Sequence, residues 1–470
     1  MTETYLKCDQ CGETQSPFPP QFTCNCGGLL EYEYDYEKLG VEANFVGAIS
    51  LWRYADVMPK VGRENLVTLG EGGTPLQHSK RLGQKLGLKR LYFKDETRNP
   101  TNSYRDRCAS LIVSNALELD YSTLICASNG NMGASMAAYS SKAGLNCQIL
   151  VPKKVDEGKL AQMMIYDAIL TEAGEILDES IERAIKIVEE THWYQATAEL
   201  NPLAIEAGKT LAYEIFEQGV VPDWVIVPLG SGGTLYSIWK GFKELKEFGW
   251  IEDLPKMVGT QSEACPPVFK AFVEGSETIT PIGDSNSIAL AILVMNPIRG
   301  RKALSSIRDS GGRVEAVSDS EMLNAEKRVA KLEGLFVEPA SAATVTCLEK
   351  LLDMGVIDDG DTVLCLLTSS GLKVPGVLQV LAKKRKAKGV ALNLSMKSQI
   401  LRMIEFKSSY GYEVWKDLEE AVTLQAVYQH LASLERKGFL SSAKKGEKKF
   451  FKITTKGKRA LKAIEDLKHL

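Results

Sequence analysis

Four short, almost wholly apolar runs constrain this 470-residue chain more than any other feature. They are Thr123–Ala127 (TLICA), Gln148–Pro152 (QILVP), Trp224–Leu229 (WVIVPL) and Thr362–Leu367 (TVLCLL). A strand with apolar residues on both faces has to be covered on both faces, as in a parallel sheet clad by helices. Helical patterns such as Ser180–Glu190 (SIERAIKIVEE) lie between them. Strand–helix alternation sustained over about 340 residues predicts a doubly wound α/β architecture of two lobes.

Glycine-rich stretches fall where such a fold gathers ligands. Gly230-Ser-Gly-Gly-Thr234 follows the Trp224 run and precedes the helical Leu235–Phe242. Ser128-Asn-Gly-Asn-Met-Gly-Ala-Ser135 follows the Thr123 run in the same way, and Glu71-Gly-Gly-Thr-Pro75 stands earlier. A glycine loop from a strand end into a helix start turns backbone N–H groups and the positive helix end toward an anion. Such loops also make plain turns, but open α/β sheets bind ligands at the carboxyl ends of their strands, so two of these loops can face one crevice.

The remaining regions differ in composition. Residues 1–36 carry Cys8-x-x-Cys11 and Cys24-x-Cys26, two pairs that can set four thiolates around one structural zinc ion, with Gly12, Gly27 and Gly28 permitting the turns. The second pair is a tighter knuckle than the first. Cys108, Cys126, Cys147, Cys265, Cys347 and Cys365 are scattered through apolar runs, as small buried hydrophobes of a reducing compartment are. The N-terminus lacks a secretory pattern, and no run approaches the roughly 20 apolar residues of a membrane span. The expected address is the cytoplasm. Residues 37–382 form the expected two-lobed domain, 383–394 a basic linker, and 395–470 a compact helical-plus-ribbon domain.

Charge divides along the same boundary. Residues 383–470 hold 21 Lys and Arg against 9 Asp and Glu, a balance of +12, whereas residues 1–382 hold 36 against 51, a balance of −15. An acidic body with a basic tail suggests an anionic partner for the tail, although a solvated charged face has the same composition. Within the tail, Met396–Ile404 and Tyr412–Leu418 read as helices, and Thr423–Gly438 as a third with a Thr cap and a Gly stop. Phe439-Leu440 and Phe450–Thr454 read as strands around Lys444-Lys-Gly-Glu-Lys-Lys449. That is the order of a winged helix, whose third helix enters the major groove of double-stranded DNA while wing lysines meet phosphates. Docking of protein rather than DNA is the competing use.

Taken together, the central motifs resemble threonine synthase, a pyridoxal-phosphate (PLP) enzyme of the β-family (fold type II). The matching segments are Glu71–Leu76, Lys94–Arg107, Ser128–Ser135, Asn201–Thr210, Gly230–Thr234, Glu338–Ala343 and Thr368–Lys373, in order over about residues 1–380. The resemblance implies that Gly230, Ser231, Gly232, Gly233 and Thr234 hold the cofactor phosphate. By the same token Asn131 would bond the pyridine 3′-hydroxyl, Thr368 would face the ring nitrogen, and Tyr104, usually Phe, would lie beside the ring. Ser128, Asn129 and Gly130 would bind a substrate carboxylate. The tail resembles PadR-type regulators in Val427-Tyr-Gln-His-Leu431, Leu434–Phe439 and Ile453–Lys458. It implies bases read by Thr423, Gln425, Ala426 and Gln429, phosphates met by Lys444, Lys445, Lys448 and Lys449, and a core of Val427, Leu431 and Leu434.

One position departs from the family. Arg105 stands where the resemblance expects the Schiff-base lysine, and Asn102, Cys108 and Met132 also differ from the usual residues. A guanidinium with a pKa above about 12 neither attacks an aldehyde nor shuttles protons, but it donates several hydrogen bonds to an anion. An engineered substitution, replacement by Lys94, Lys209 or Lys373, and loss of covalent PLP chemistry each account for it. The reading carried forward is a ligand-sensing, DNA-binding regulator. It would be a homodimer responding to PLP or to an anionic amino acid or phospho-amino acid. An active lyase on O-phosphohomoserine with a regulatory tail is the alternative.

Overall fold

The computed structural model describes residues 4–36, 45, 47–283, 285–374, 393–406, 408–418, 423–446 and 448–461. They fall into two compact units, residues 1–377 and 378–470. The predicted linker lies outside the described residues except for 393 and 394, which open the first helix of the second unit.

Strands β1 (Thr4–Cys8), β2 (Thr14–Gln15) and β3 (Leu30–Tyr34) form a small antiparallel sheet, order β2-β1-β3, around the first cysteines. Its Tyr34 hydroxyl donates to Glu206 and its Glu31 accepts from Tyr236, so the cysteine-bearing segment packs into the first unit. Beyond it come β4 (Leu76–His78) and β5 (Arg90–Asp95). Next, β6 (Thr123–Ala127), β7 (Asn146–Val151), β8 (Ile169–Glu172) and β9 (Tyr194–Gln195) make a parallel four-stranded sheet, order β8-β7-β6-β9. The strands β10 (Trp224–Pro228), β11 (Lys256–Ser262), β12 (Arg313–Val317) and β13 (Thr362–Leu367) join β5 in parallel, with β4 antiparallel at the edge. The order is β12-β11-β10-β13-β5-β4.

All four apolar runs are central strands, and their alternate residues enter different cores. In β6, Leu124 and Cys126 pack with the helices Arg105–Glu118 and Asn131–Ala143, while Ile125 and Ala127 pack with Ile181 and Ala184 of the helix Leu177–Thr191. In β10, Val225 and Val227 face one core and Trp224 and Ile226 the other. Burial on both faces is what the missing alternation signalled. Among the described residues no helix is long and apolar enough to cross a membrane.

In the second unit, helices Asn393–Phe406, Gly411–Asp417 and Leu424–Arg436 surround a core containing Ile400, Ile404, Val427, Leu431 and Leu434. Strands β14 (Ser409–Tyr410), β15 (Leu440–Lys445) and β16 (Lys448–Ile453) form its sheet. The strands reach farther than the apolar residues alone suggest. Lys444 pairs with Lys449 and Lys445 with Lys448, leaving two residues for the turn.

Candidate functional site

Two of the three glycine loops meet at the carboxyl ends of the strands, and Glu71–Pro75 does not join them. Ser128, Asn129 and Asn131 follow β6, Gly230–Thr234 follows β10 and Thr368 follows β13. Together with Tyr104, Arg105 and Met132 from the start of two helices, all of these but Gly233 line one cleft. A smaller adjoining cavity is lined by Gly233, Arg299, Arg105 and Thr234. Of the predicted cofactor and substrate residues, Gly233 lines only the adjoining cavity and Gly130 lines neither. It leaves room instead, because a Cβ there would lie 2.5 Å from Cδ of Lys159.

Local chemistry explains the loop. Gly232, at φ +99°, precedes the helix Gly233–Glu247, and a Cβ on it would fall 2.5 Å from the Arg299 carbonyl oxygen. Only glycine fits, and the first turn of that helix offers N–H groups with no intrahelical acceptor. The Thr234 and Tyr104 hydroxyls are 2.6 Å apart. Asn131 donates to Glu338 at 3.2 Å and accepts from Ser369 at 3.3 Å, and Thr368 pairs with Ser341 at 2.9 Å. Ser128 Oγ accepts from the amides of Gly130 and Gly133, which fixes the start of the helix Asn131–Ala143, while Asn129 donates to the Leu290 carbonyl.

Arg105 opens the helix Arg105–Glu118, and its guanidinium carbon stands 4.8 Å from the centre of the Tyr104 ring. Burial opposes its charge, but Tyr104 and Glu199 favour it more and hold its pKa above the ordinary arginine value. It is a permanent cation in the cleft. The three alternative lysines lie elsewhere. Lys94 pairs with Glu214 at 2.8 Å, Lys209 with Glu206 at 2.7 Å, and Lys373 donates to the Thr101 carbonyl at 2.8 Å. Burial lowers the Lys373 pKa to about 8, yet this side chain does not line the cleft. Among the described residues Lys159 is the lysine that does, and it is held by Asp156 at 2.7 Å and Glu338 at 3.2 Å.

Lys159, Glu199 and Arg299 were not evident from sequence. Glu199 follows β9, a two-residue strand too short to register as an apolar run. Lys159 reaches the cleft and Arg299 the adjoining cavity through tertiary packing, and neither carries a local signature.

A phosphorylated pyridine fits this donor set: a helix start and glycine loop for the phosphate, hydroxyl and amide groups for the ring, and an aromatic side chain beside them. A lysine amine free to attack an aldehyde is missing from the described lining.

In the N-terminal sheet, the sulfurs of Cys8, Cys11, Cys24 and Cys26 all lie within 4.8 Å of one another, with Cys8–Cys26 at 3.5 Å and Cys11–Cys24 at 3.7 Å. Four thiolates at about 2.3 Å from one tetrahedral ion would be spaced about 3.8 Å apart. A Cβ on Gly28 would strike Cys8 Sγ at 2.5 Å, so the tight knuckle needs its glycine.

In the second unit, the Thr423 side chain accepts from the Ala426 amide and caps the third helix. Gln425 and Gln429 are exposed, and Ala426 is half-buried. On the wing, Lys444 is exposed, Lys448 stands 4.2 Å from the Tyr410 ring centre and Lys449 pairs with Glu435 at 2.8 Å.

Solved structures with the fold of the first unit include a tomato (Solanum lycopersicum) threonine deaminase isoform 2, TM-score 0.56, at 18% identity over 66% of this chain and 83% of that one. A maize serine racemase also has TM-score 0.56, at 19% identity over 66% and 92%. Fold, cleft and sequence define the class: the chain belongs to the pyridoxal-phosphate dependent enzyme family, whose model matches residues 67–369. More particularly, it is a homologue of threonine synthases. It is 42% identical to that of Methanocaldococcus jannaschii over 376 residues, covering 78% of this chain and 93% of the relative. The Methanosarcina acetivorans threonine synthase is also 42% identical, over 79% and 92%. Residues 400–463 match the transcriptional regulator PadR-like family, so the chain joins a threonine-synthase-like body to a PadR-like winged helix.

Proposed function

We propose that this protein is a ligand-responsive DNA-binding regulator whose threonine-synthase-like cleft binds without covalent capture. The observation that carries this reading is Arg105. It lines the cleft as a cation at the position assigned by resemblance to the cofactor lysine. When bound, PLP would supply an electron-withdrawing ring. Gly230–Thr234 would hold its phosphate, Asn131 its 3′-oxygen, Thr368 its ring nitrogen and Tyr104 its face. Ser128 and Asn129 would receive the carboxylate of an amino acid or phospho-amino acid. Arg105 would donate hydrogen bonds to the ligand and move no proton. Cys8, Cys11, Cys24 and Cys26 would hold a structural zinc ion.

The second unit would bind duplex DNA as a dimer, through Gln425, Gln429 and the exposed end of the third helix, with Lys444, Lys445, Lys448 and Lys449 near phosphates. Ligand in the cleft would shift DNA affinity by linkage. A second reading, an active threonine synthase with a regulatory tail, is favoured by the 42% identity to enzymes of that name. The two separate by experiment. Fluorescence anisotropy of a labelled operator-containing duplex should change severalfold in apparent Kd on adding PLP or O-phosphoserine. Turnover of O-phosphohomoserine to threonine would support the second reading and count against the first.

A further inference from the structure

Arg299 is buried, at 1% exposure, and its backbone is locked to the glycine loop: its N–H donates to the Ser231 carbonyl at 2.9 Å. Its side chain lines the smaller cavity with Arg105, Glu199, Ser231, Gly233 and Thr234. A Cβ on Gly233 would lie 3.5 Å from its Cδ. Nη1 reaches Glu31 at 3.4 Å, whereas Nε and Nη2 have no hydrogen-bond partner. Buried donors are nearly always paired, and a guanidinium with two donors left over calls for an acceptor. Glu31 is already committed, since Lys302 at 2.9 Å and Tyr236 at 2.8 Å share its other oxygen.

We propose that Arg299 makes the glycine-loop site select a phosphate-bearing ligand, adding a second guanidinium to that of Arg105. This rests on the reading of the cleft as a ligand site. A phosphate monoester presents three acceptor oxygens and nearly two charges, enough to meet an arginine fork and the N–H groups of a helix start together. A carboxylate offers two oxygens and one charge, and leaves part of that donor set unmet. The phosphate belongs either to PLP or to a phospho-amino acid.

The test titrates the full-length protein by calorimetry with PLP, pyridoxal, O-phosphoserine and inorganic phosphate, beside Arg299→Gln and Arg299→Lys. The parent should bind a phosphate-bearing probe more tightly than pyridoxal. Arg299→Gln should weaken that binding about tenfold or more, as loss of a buried charge-assisted contact does, and leave pyridoxal unchanged. Arg299→Lys keeps a charge facing Glu31 and hence the fold, and should still lose affinity severalfold because one point charge replaces a fork. A loss confined to PLP assigns the site to the cofactor phosphate, and one confined to O-phosphoserine to the amino acid; either supports the proposal. Unchanged phosphate binding in Arg299→Lys, or an equal loss for pyridoxal, overturns it. If the parent binds pyridoxal but discriminates no phosphate, only this inference fails. If none of the probes binds, the ligand-site reading fails as well.

Discussion

At the scale of the residue, Arg105 separates binding from chemistry. A buried lysine can become a neutral nucleophile, but a guanidinium stays charged and donates. If the rest of the cleft still fits PLP, Arg105→Lys should gain a borohydride-stable PLP adduct on residue 105, detectable by peptide mass spectrometry. Absence of an adduct in a folded variant would mean that the surroundings no longer fit. A second residue carries a pH dependence. Glu326 is 1% exposed and neither carboxylate oxygen has a hydrogen-bond partner. Burial, with some help from Glu338 and against Lys327, pushes its pKa from 4.5 up to about 7. The folded protein therefore keeps a proton that the unfolded chain has released, so this group's contribution is full below pH 4.5 and declines as pH rises toward 7. Glu326→Gln should be more stable than the parent at pH 8 by about 3 kcal/mol, and little different at pH 4, in denaturant titrations. Equal stability at both pH values would remove this account of Glu326. Arg105 was legible because it breaks a motif. Glu326 and Arg299 were not, since an acid or base within a helical or turn pattern reads as solvent-exposed until packing buries it.

At the scale of the element, apolar runs were legible and ion-paired strands were not. Strands β6 and β13 match their expected bounds, and β7 and β10 differ only at their ends. Strand β5 escaped because it ends in Lys94 and Asp95, both fully buried. Lys94 is neutralised by Glu214, which also meets Arg107 at 2.5 Å, while Arg107 pairs with Glu96 at 2.8 Å. This network ties β5 to the helices Arg105–Glu118 and Leu203–Glu217. Removing one member leaves buried cations unmatched, so Glu214→Gln should cost about 3–5 kcal/mol in chemical denaturation. A loss below 1 kcal/mol would mean that water or relaxation compensates. The wing shows the same limitation: its strands extend through Lys444, Lys445, Lys448 and Lys449, which sequence alone assigns to a loop.

At the scale of the whole molecule, charge and function divide together. The two family matches, residues 67–369 and 400–463, fall on either side of the shift from −15 to +12. Contacts with DNA phosphates release counterions, so binding by the full chain should weaken steeply between 50 and 200 mM salt, by about tenfold or more, and truncation at Lys388 should abolish it. Salt-insensitive or truncation-insensitive binding would place DNA recognition elsewhere. The central claim is that the cleft binds its ligand without a covalent bond. It is tested most directly by incubating the full-length protein with PLP, reducing with borohydride and measuring the intact mass, with a parallel calorimetric titration. The account predicts saturable PLP binding and an unchanged mass. A stoichiometric, reduction-dependent PLP adduct on any lysine of the chain would contradict it.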